Sequence, residues 1–238
     1  LFAPGEAGRP VDADEAAAWL RAPPVPGSFL WLHFNVSNAA AERFMQQHLA
    51  LPDAFHESLR GDAGSTRVEQ SGDWLVAVLN DVLFDFAFDA SHVSTVNLCV
   101  ERRLVVSARS KPLRSIDRLR ESVRQGETFR STAELLAHLL RDQADVMVQI
   151  VRDSTGRVNS IEDSLLANRV GSSRAKLVAL RRVLVRLQRL LAPEPAALFR
   201  LLSRPPAWLG EEDQQELRQA AEEFSTAVAD SAALGERV

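Results

Sequence analysis

Apolar and polar residues follow two different rhythms along the chain, and the rhythm changes near Lys111. Before it, apolar residues come in short runs bounded by turn residues, the pattern of buried strands interleaved with short helices. Phe29–Phe34 reads as a buried strand entered through the Pro-rich turn Pro23–Gly27. Further strands are predicted at Thr66–Gln70, Trp74–Leu83, Val93–Glu101 and Leu104–Arg109. Only Arg102 and Arg103 separate the last two, a spacing that fits a hairpin. Short helices are predicted over Asp12–Leu20, Ala39–Leu49 and Pro52–Leu59. Asp12 is placed to accept from the first free N–H groups of its helix, with Glu15 in the reciprocal capping position. Two nearly consecutive hairpins predict a mixed or antiparallel sheet rather than repeated βαβ units.

After Lys111 the period lengthens to that of long helices. Ser131 and Glu134 form a second capping box, followed by an apolar stripe at Leu136, Leu140, Met147, Ile150, Val158, Ile161 and Leu165. Gly171 breaks it. Leu177, Leu180, Leu184, Leu187 and Leu191 then repeat as a heptad seam, which calls for a protein partner. Pro193 and Pro195 interrupt that helix, Leu198–Leu202 resumes it, and Pro205–Pro206 ends it. A last helix starts at Gly210 with Glu211, Glu212 and Asp213 where the helix dipole favours acids. The expected fold class is therefore α/β of the α+β kind, a mixed or antiparallel sheet flanked by helices and followed by long antiparallel helices. No internal repeat is seen.

Composition excludes several classes. Of 238 residues, 46% are hydrophobic and 25% charged, which rules out a disordered, collagen-like or disulfide-scaffold chain. The single cysteine, Cys99, lies mid-strand and reads as a buried, inert thiol; with no internal disulfide possible, a reducing compartment is the default expectation. No run of apolar residues is long enough to span a bilayer. The chain opens at Leu1 without a Met and stops at Val238 inside a helical pattern, so a fragment of a longer protein is expected. Residues 1–110 carry 8 Lys+Arg against 14 Asp+Glu, whereas Ser164–Pro193 contains basic residues and no acid. Those bases are Arg169, Arg174, Lys176, Arg181, Arg182, Arg186 and Arg189.

Candidate chemistry is sparse. His33, His48, His56, His92 and His138 show no metal-ligand spacing, and no phosphate loop, nucleophile elbow or zinc-protease motif occurs. No catalytic residue is assigned, and an enzyme is not expected. On the strand running on from Asn80, alternation puts Asp81, Asp85 and Asp89 on one face and Val82, Phe84, Phe86 and Phe88 on the other. With His92 nearby, that row is a candidate divalent-cation site, although a solvated acidic edge that guards against strand pairing is the reading preferred from the residues alone. The basic helix lacks interleaved aromatics for base stacking, so no nucleic-acid partner is expected. The acidic helix Glu211–Asp230 is its expected electrostatic mate, within the chain or between subunits.

The order and spacing of these segments resemble the cytoplasmic portion of CorA-type divalent cation transporters, most closely the zinc-transporting ZntB-like branch. The residues carrying the resemblance are Trp31-Leu32-His33-Phe34, Leu51-Pro52 with the helix ending at Leu59, Thr66-Arg67-Val68, and Arg103 through Arg109. In the helical half they are Ile161 through Leu166, Leu180-Arg181-Arg182 through Leu191-Ala192-Pro193, and Pro206-Ala207-Trp208-Leu209. The resemblance implies an α/β/α sandwich over 1–130, paired long antiparallel helices over 131–209, and over 210–238 the start of a stalk helix leading to membrane segments. It implies a homopentamer on the cytoplasmic side of the bacterial inner membrane, with zinc or magnesium as transported or regulatory ion. Assembly, cation sensing and gating are the expected roles, zinc being favoured over magnesium. The alternative from the residues alone is a soluble helical module that binds an acidic protein partner. In the magnesium branch an acid after the Leu-Pro element pairs with an acid on a neighbour's stalk; Glu57 falls at the first position and the uncharged Gln219 at the second.

Overall fold

A computed structural model describes residues 1–60, 66–166 and 173–238, so the expected break at Gly171 and the base Arg169 lie outside the described residues. The strands β1 (Leu30–Asn35), β2 (Arg67–Ser71), β3 (Trp74–Val82), β4 (Val93–Val100) and β5 (Leu104–Arg109) form one sheet in the order β1-β5-β4-β3-β2. β2 through β5 pair antiparallel in succession, and β1 adds parallel to β5 with Leu30 opposite Leu104. The sheet is mixed, as the hairpins require.

Strand alternation decides what covers each face. On β3, Leu75, Ala77 and Leu79 point one way and Val76 the other, and all are buried. Val76 joins Leu30, Cys99, Leu104 and Val106 beneath the helices α1 (Ala13–Arg21), α2 (Ala39–His48) and α3 (Asp53–Arg60), which contribute Ala16, Met45 and Phe55. The opposite face packs on α4 (Arg114–Arg124) and on α5 (Thr132–Leu166) through Leu113, Ile116, Leu119, Leu136 and Leu140. The result is an α/β/α sandwich. Burial also pushes the Cys99 thiol pKa up, away from reactivity.

Both capping sites form in their forward half. Asp12 accepts from Glu15 N at 2.8 Å and Ser131 Oγ from Glu134 N at 3.0 Å. The return halves differ from expectation, because Glu15 pairs with Arg9 and Glu134 accepts from Arg130 N. Nearby donors from the preceding turn compete successfully for those carboxylates.

Two further long helices complete the layer: α6 (Ser173–Leu191) and, beyond the short helix α7 (Pro193–Leu202), α8 (Glu211–Arg237). Pro193 stands at the first position of α7, where its missing N–H is tolerated. The N-terminal end of α8 is tied to the start of α5 by Arg130, which pairs with Glu212 and Glu216, and by Ser131 Oγ on Asp213. At its far end Arg237 reaches Glu162 at 2.8 Å. Between these ties Leu217, Ala220, Ala221, Phe224, Ala227 and Val228 are buried. Leu180, Leu184, Leu187 and Leu191 of α6 close over this pair, meeting Ile150, Phe224, Val158 and Leu234. The heptad seam is thus satisfied inside the chain, which removes the reason to require an external helix. Among the described residues no helix is long and apolar enough to cross a membrane.

Leu187 is fully buried in this seam whereas Val185, two positions before it, is half exposed. Leu187→Ala is expected to lower unfolding free energy by about 2–5 kcal/mol, and Val185→Ala by less than about 0.5 kcal/mol, in urea titrations.

Candidate functional site

The carboxylate row predicted from Asn80 onward does not exist as a row. β3 ends at Val82, Leu83 bridges to Leu113, and Phe86 N closes a turn onto Leu83 O. Phe88 adopts a φ of 60°, so alternation is lost across the segment. Phe84 is exposed instead of sharing a buried face with Phe86. Asp85 is exposed, and Asp89 folds back on its own turn, accepting from Ser91 N and Oγ. His92 is engaged through its backbone with Asp89 and Leu83. Among the described residues no group of three or more His, Cys, Asp or Glu is placed to hold a metal ion. The structure does not bring Asp81, Asp85, Asp89 and His92 together on one strand face as the alternation predicts.

Asp81 has a different task. Helix α4 begins after Leu113, a residue with no side-chain acceptor for the orphan N–H groups of the first turn. Asp81 supplies one from the sheet: Oδ2 accepts from Ser115 N at 2.9 Å, and Oδ1 accepts from Ser115 Oγ at 3.0 Å and Val82 N at 2.8 Å. Burial pushes its pKa up to about 7 against the opposing pull of these donors.

Beside it lies a buried polar node that sequence reasoning missed. Glu194, in the first turn of α7, is fully buried, and its Oε1 accepts from Asn80 N at 2.5 Å and Asn80 Nδ2 at 3.3 Å. Asn80 Nδ2 also reaches Thr66 Oγ1 and Leu190 O, while Gln143 of α5 donates to Asn80 O at 2.9 Å. One strand residue thereby holds β3, α5, α6 and α7 together. Burial drives the Glu194 carboxyl well above its ordinary range, with the Asp81 charge adding to the rise. Asp142 of α5 is raised to about 7 by burial, opposed by Arg118 at 3.5 Å. The sequence signal is an acid between Pro193 and Pro195, a composition that ordinary helix starts share.

The basic helix behaves differently from its expected pairing. Arg174, Lys176, Arg181, Arg182, Arg186 and Arg189 are all exposed, and among the described residues none makes an ion pair. The acids of α8 pair elsewhere: Glu212, Asp213 and Glu216 with Arg130, and Glu223 with Arg141. The intramolecular match of α6 with α8 is therefore apolar and not electrostatic. Glu57 is exposed on α3, and Gln219 is exposed on α8, donating to Glu223 at 3.0 Å.

The sheet sandwiched between helices, with long helices on one face, is a fold shared with known proteins. A family model described as CorA-like Mg2+ transporter protein matches residues 26–238. The chain belongs to the CorA family. Among curated relatives, the zinc transport protein ZntB of Yersinia enterocolitica is 22% identical over 200 residues, 84% of this chain and 61% of that protein. ZntB of Pectobacterium atrosepticum is 20% identical over the same shares. The chain thus spans about three fifths of these relatives. The full-length CmaX protein superposes with a TM-score of 0.80 at 20% identity, over 91% of this chain and 67% of that one. The soluble domain of CorA from Methanocaldococcus jannaschii gives 0.76 at 17% identity, over 90% and 89%. The ZntB cytoplasmic domain of Vibrio parahaemolyticus gives 0.58 at 14% identity, over 87% and 85%.

Glu194→Ala leaves Asn80 N without its buried acceptor, while Asn80 Nδ2 keeps Thr66 Oγ1 and Leu190 O, and is expected to cost about 1–3 kcal/mol. Glu194→Gln keeps an acceptor that never ionises. The raised pKa means that the folded wild type retains a proton the unfolded chain releases above its ordinary value of 4.5. Wild-type stability should therefore fall as pH rises beyond 4.5. In urea titrations from pH 4 to 8, the Gln variant should gain on the wild type as pH rises, while the Ala variant stays weakest at pH 4.

Proposed function

We propose that this chain is the cytoplasmic domain of a membrane transporter for divalent cations, with zinc favoured over magnesium as cargo. It assembles with copies of itself, as a pentamer, on the cytoplasmic side of a bacterial inner membrane. The observation that carries this reading is the placement of α8. It is fixed to the sheet end of the molecule by Arg130 and then buried along α5 for most of its length. A rigid rod held in that way passes a displacement of the sandwich toward the segments that follow it, which is the mechanical requirement for gating a pore.

Two observations favour zinc. The relatives with 20–22% identity cited above bear the name of zinc transport proteins. Glu57 and Gln219, both exposed, also present only one carboxylate between them at the two positions where the magnesium-type resemblance calls for two. A single carboxylate holds a hard divalent cation weakly, because such ions take several oxygen ligands. The exposed bases of α6 give the helical layer a positive face, so the approach of cations is controlled by repulsion rather than by an acidic collecting surface.

The test is uptake by the full-length protein reconstituted in liposomes. Zinc influx should exceed that of empty vesicles at least tenfold while magnesium influx stays near background. Native mass spectrometry of the same preparation should show five copies. Zinc flux equal to that of empty vesicles would sink the reading, and magnesium flux alone would reverse the choice of ion.

A further inference from the structure

A cleft lies far in sequence from the helical layer's basic face and is used by nothing described so far. The N-terminal segment folds back on β1, where Phe2 pairs with Phe29 through both backbone hydrogen bonds and stacks its ring at 4.4 Å. Between this arm, β1 and α4 is a space of about 700 Å³. That volume is in the range of small-molecule sites, roughly 300–1,000 Å³.

The floor of the cleft is rigid and aromatic. Trp31 Nε1 donates to Ser107 Oγ at 2.8 Å, and His33 Nδ1 lies 2.8 Å from the same hydroxyl. Arg109 Nε donates to His33 Nε2 at 3.0 Å, which fixes the tautomer: Nδ1 carries the proton and donates to Ser107. Burial, reinforced by the charges of Arg109 and Arg120, holds His33 neutral with a pKa of about 3. Phe34 and Phe44, rings 5.9 Å apart, continue the apolar wall.

The rim is cationic. Arg9, Arg120 and Arg124 line it against a single carboxylate, Asp12, and that carboxylate is already committed to the first turn of α1. Each arginine has one acidic neighbour, Glu15, Asp117 and Glu121 respectively. A guanidinium has five N–H donors, so each retains donors for a further anion. Three such groups at one rim suit a ligand carrying several negative charges, since bidentate contact with phosphate is the geometry they favour.

We propose that this cleft binds a nucleoside polyphosphate, with the phosphates at Arg9, Arg120 and Arg124 and the flat base against the aromatic floor. The site is independent of which ion the protein carries. It would give the sandwich a ligand whose occupancy is felt by β1 and α4, both parts of the sheet's packing.

The test measures displacement of a fluorescent ATP analogue from the full-length protein in detergent, in metal-free buffer so that chelation plays no part. ATP should compete saturably, and adenosine and inorganic tripolyphosphate should each compete at least tenfold more weakly. Arg120→Gln combined with Arg124→Gln should weaken ATP at least tenfold with an unchanged urea midpoint. Absence of saturable ATP binding would overturn the proposal. So would tripolyphosphate competing as well as ATP, which would mean a charged patch and no base site, or a double variant that binds as the wild type does. Zinc uptake by the same protein reconstituted in liposomes, measured without nucleotide, keeps this outcome separate from the transport reading.

Discussion

Asn80 and Glu194 meet where water is excluded, and the attachment of the helical layer to the sheet depends on that contact. A buried backbone N–H and a buried amide each demand an acceptor, and Glu194 Oε1 serves both. Gln143 satisfies the carbonyl of the same strand residue from α5, and Leu190 O at the end of α6 takes the other direction. One step along β3, Asp81 provides the acceptor that the first turn of α4 lacks in its own sequence. Four helices are therefore positioned against one end of one strand by buried polar groups. Apolar packing of the same residues would allow the helices to slide; the directional bonds fix their register.

Ionisation gives this joint its particular character. Asp81 and Asp142 are raised to about 7, and Glu194 is raised well above its ordinary range, mainly because burial penalises the charge. Asp81 is partly compensated by three donors, whereas Glu194 Oε2 and Asp142 Oδ2 have no hydrogen-bond partner. The joint therefore loosens as carboxyls ionise. His33 works in the opposite sense, because a histidine held neutral by burial favours the folded state as pH rises toward 6.5.

The sequence was informative where local signals and packing agree. Short apolar runs bounded by Pro, Gly and Asp marked every strand within a residue or two. The hairpin at Arg102–Arg103 was enough to require antiparallel pairing. The leucine seam of α6 was visible, but its partner was not, since heptad spacing specifies a contact and not which helix supplies it. Asp81 misled because a period of two was carried past Val82, where the chain leaves the sheet. Glu194 was invisible for a related reason: burial of a carboxyl beside two prolines depends on a strand more than 100 residues away. Tertiary capping and buried pairing leave no periodic trace.

The two faces of α6 divide the roles of the helix. Its inner face is leucine-rich and makes the contacts with α5 and α8, so it needs no charge to bind. Its outer face keeps Arg174, Arg181, Arg182, Arg186 and Arg189 in water, where pairing with α8 would bring little, because an exposed ion pair contributes at most about 1 kcal/mol. With no ion pair to them among the described residues, they preserve a local positive field on a chain whose net charge is −4. That field reaches about one Debye length, roughly 8 Å at physiological salt, which is enough to act on ions passing close to the helix and too short to act across the molecule. The charge run is consequently a property of the surface that other molecules meet, and the fold is built without it.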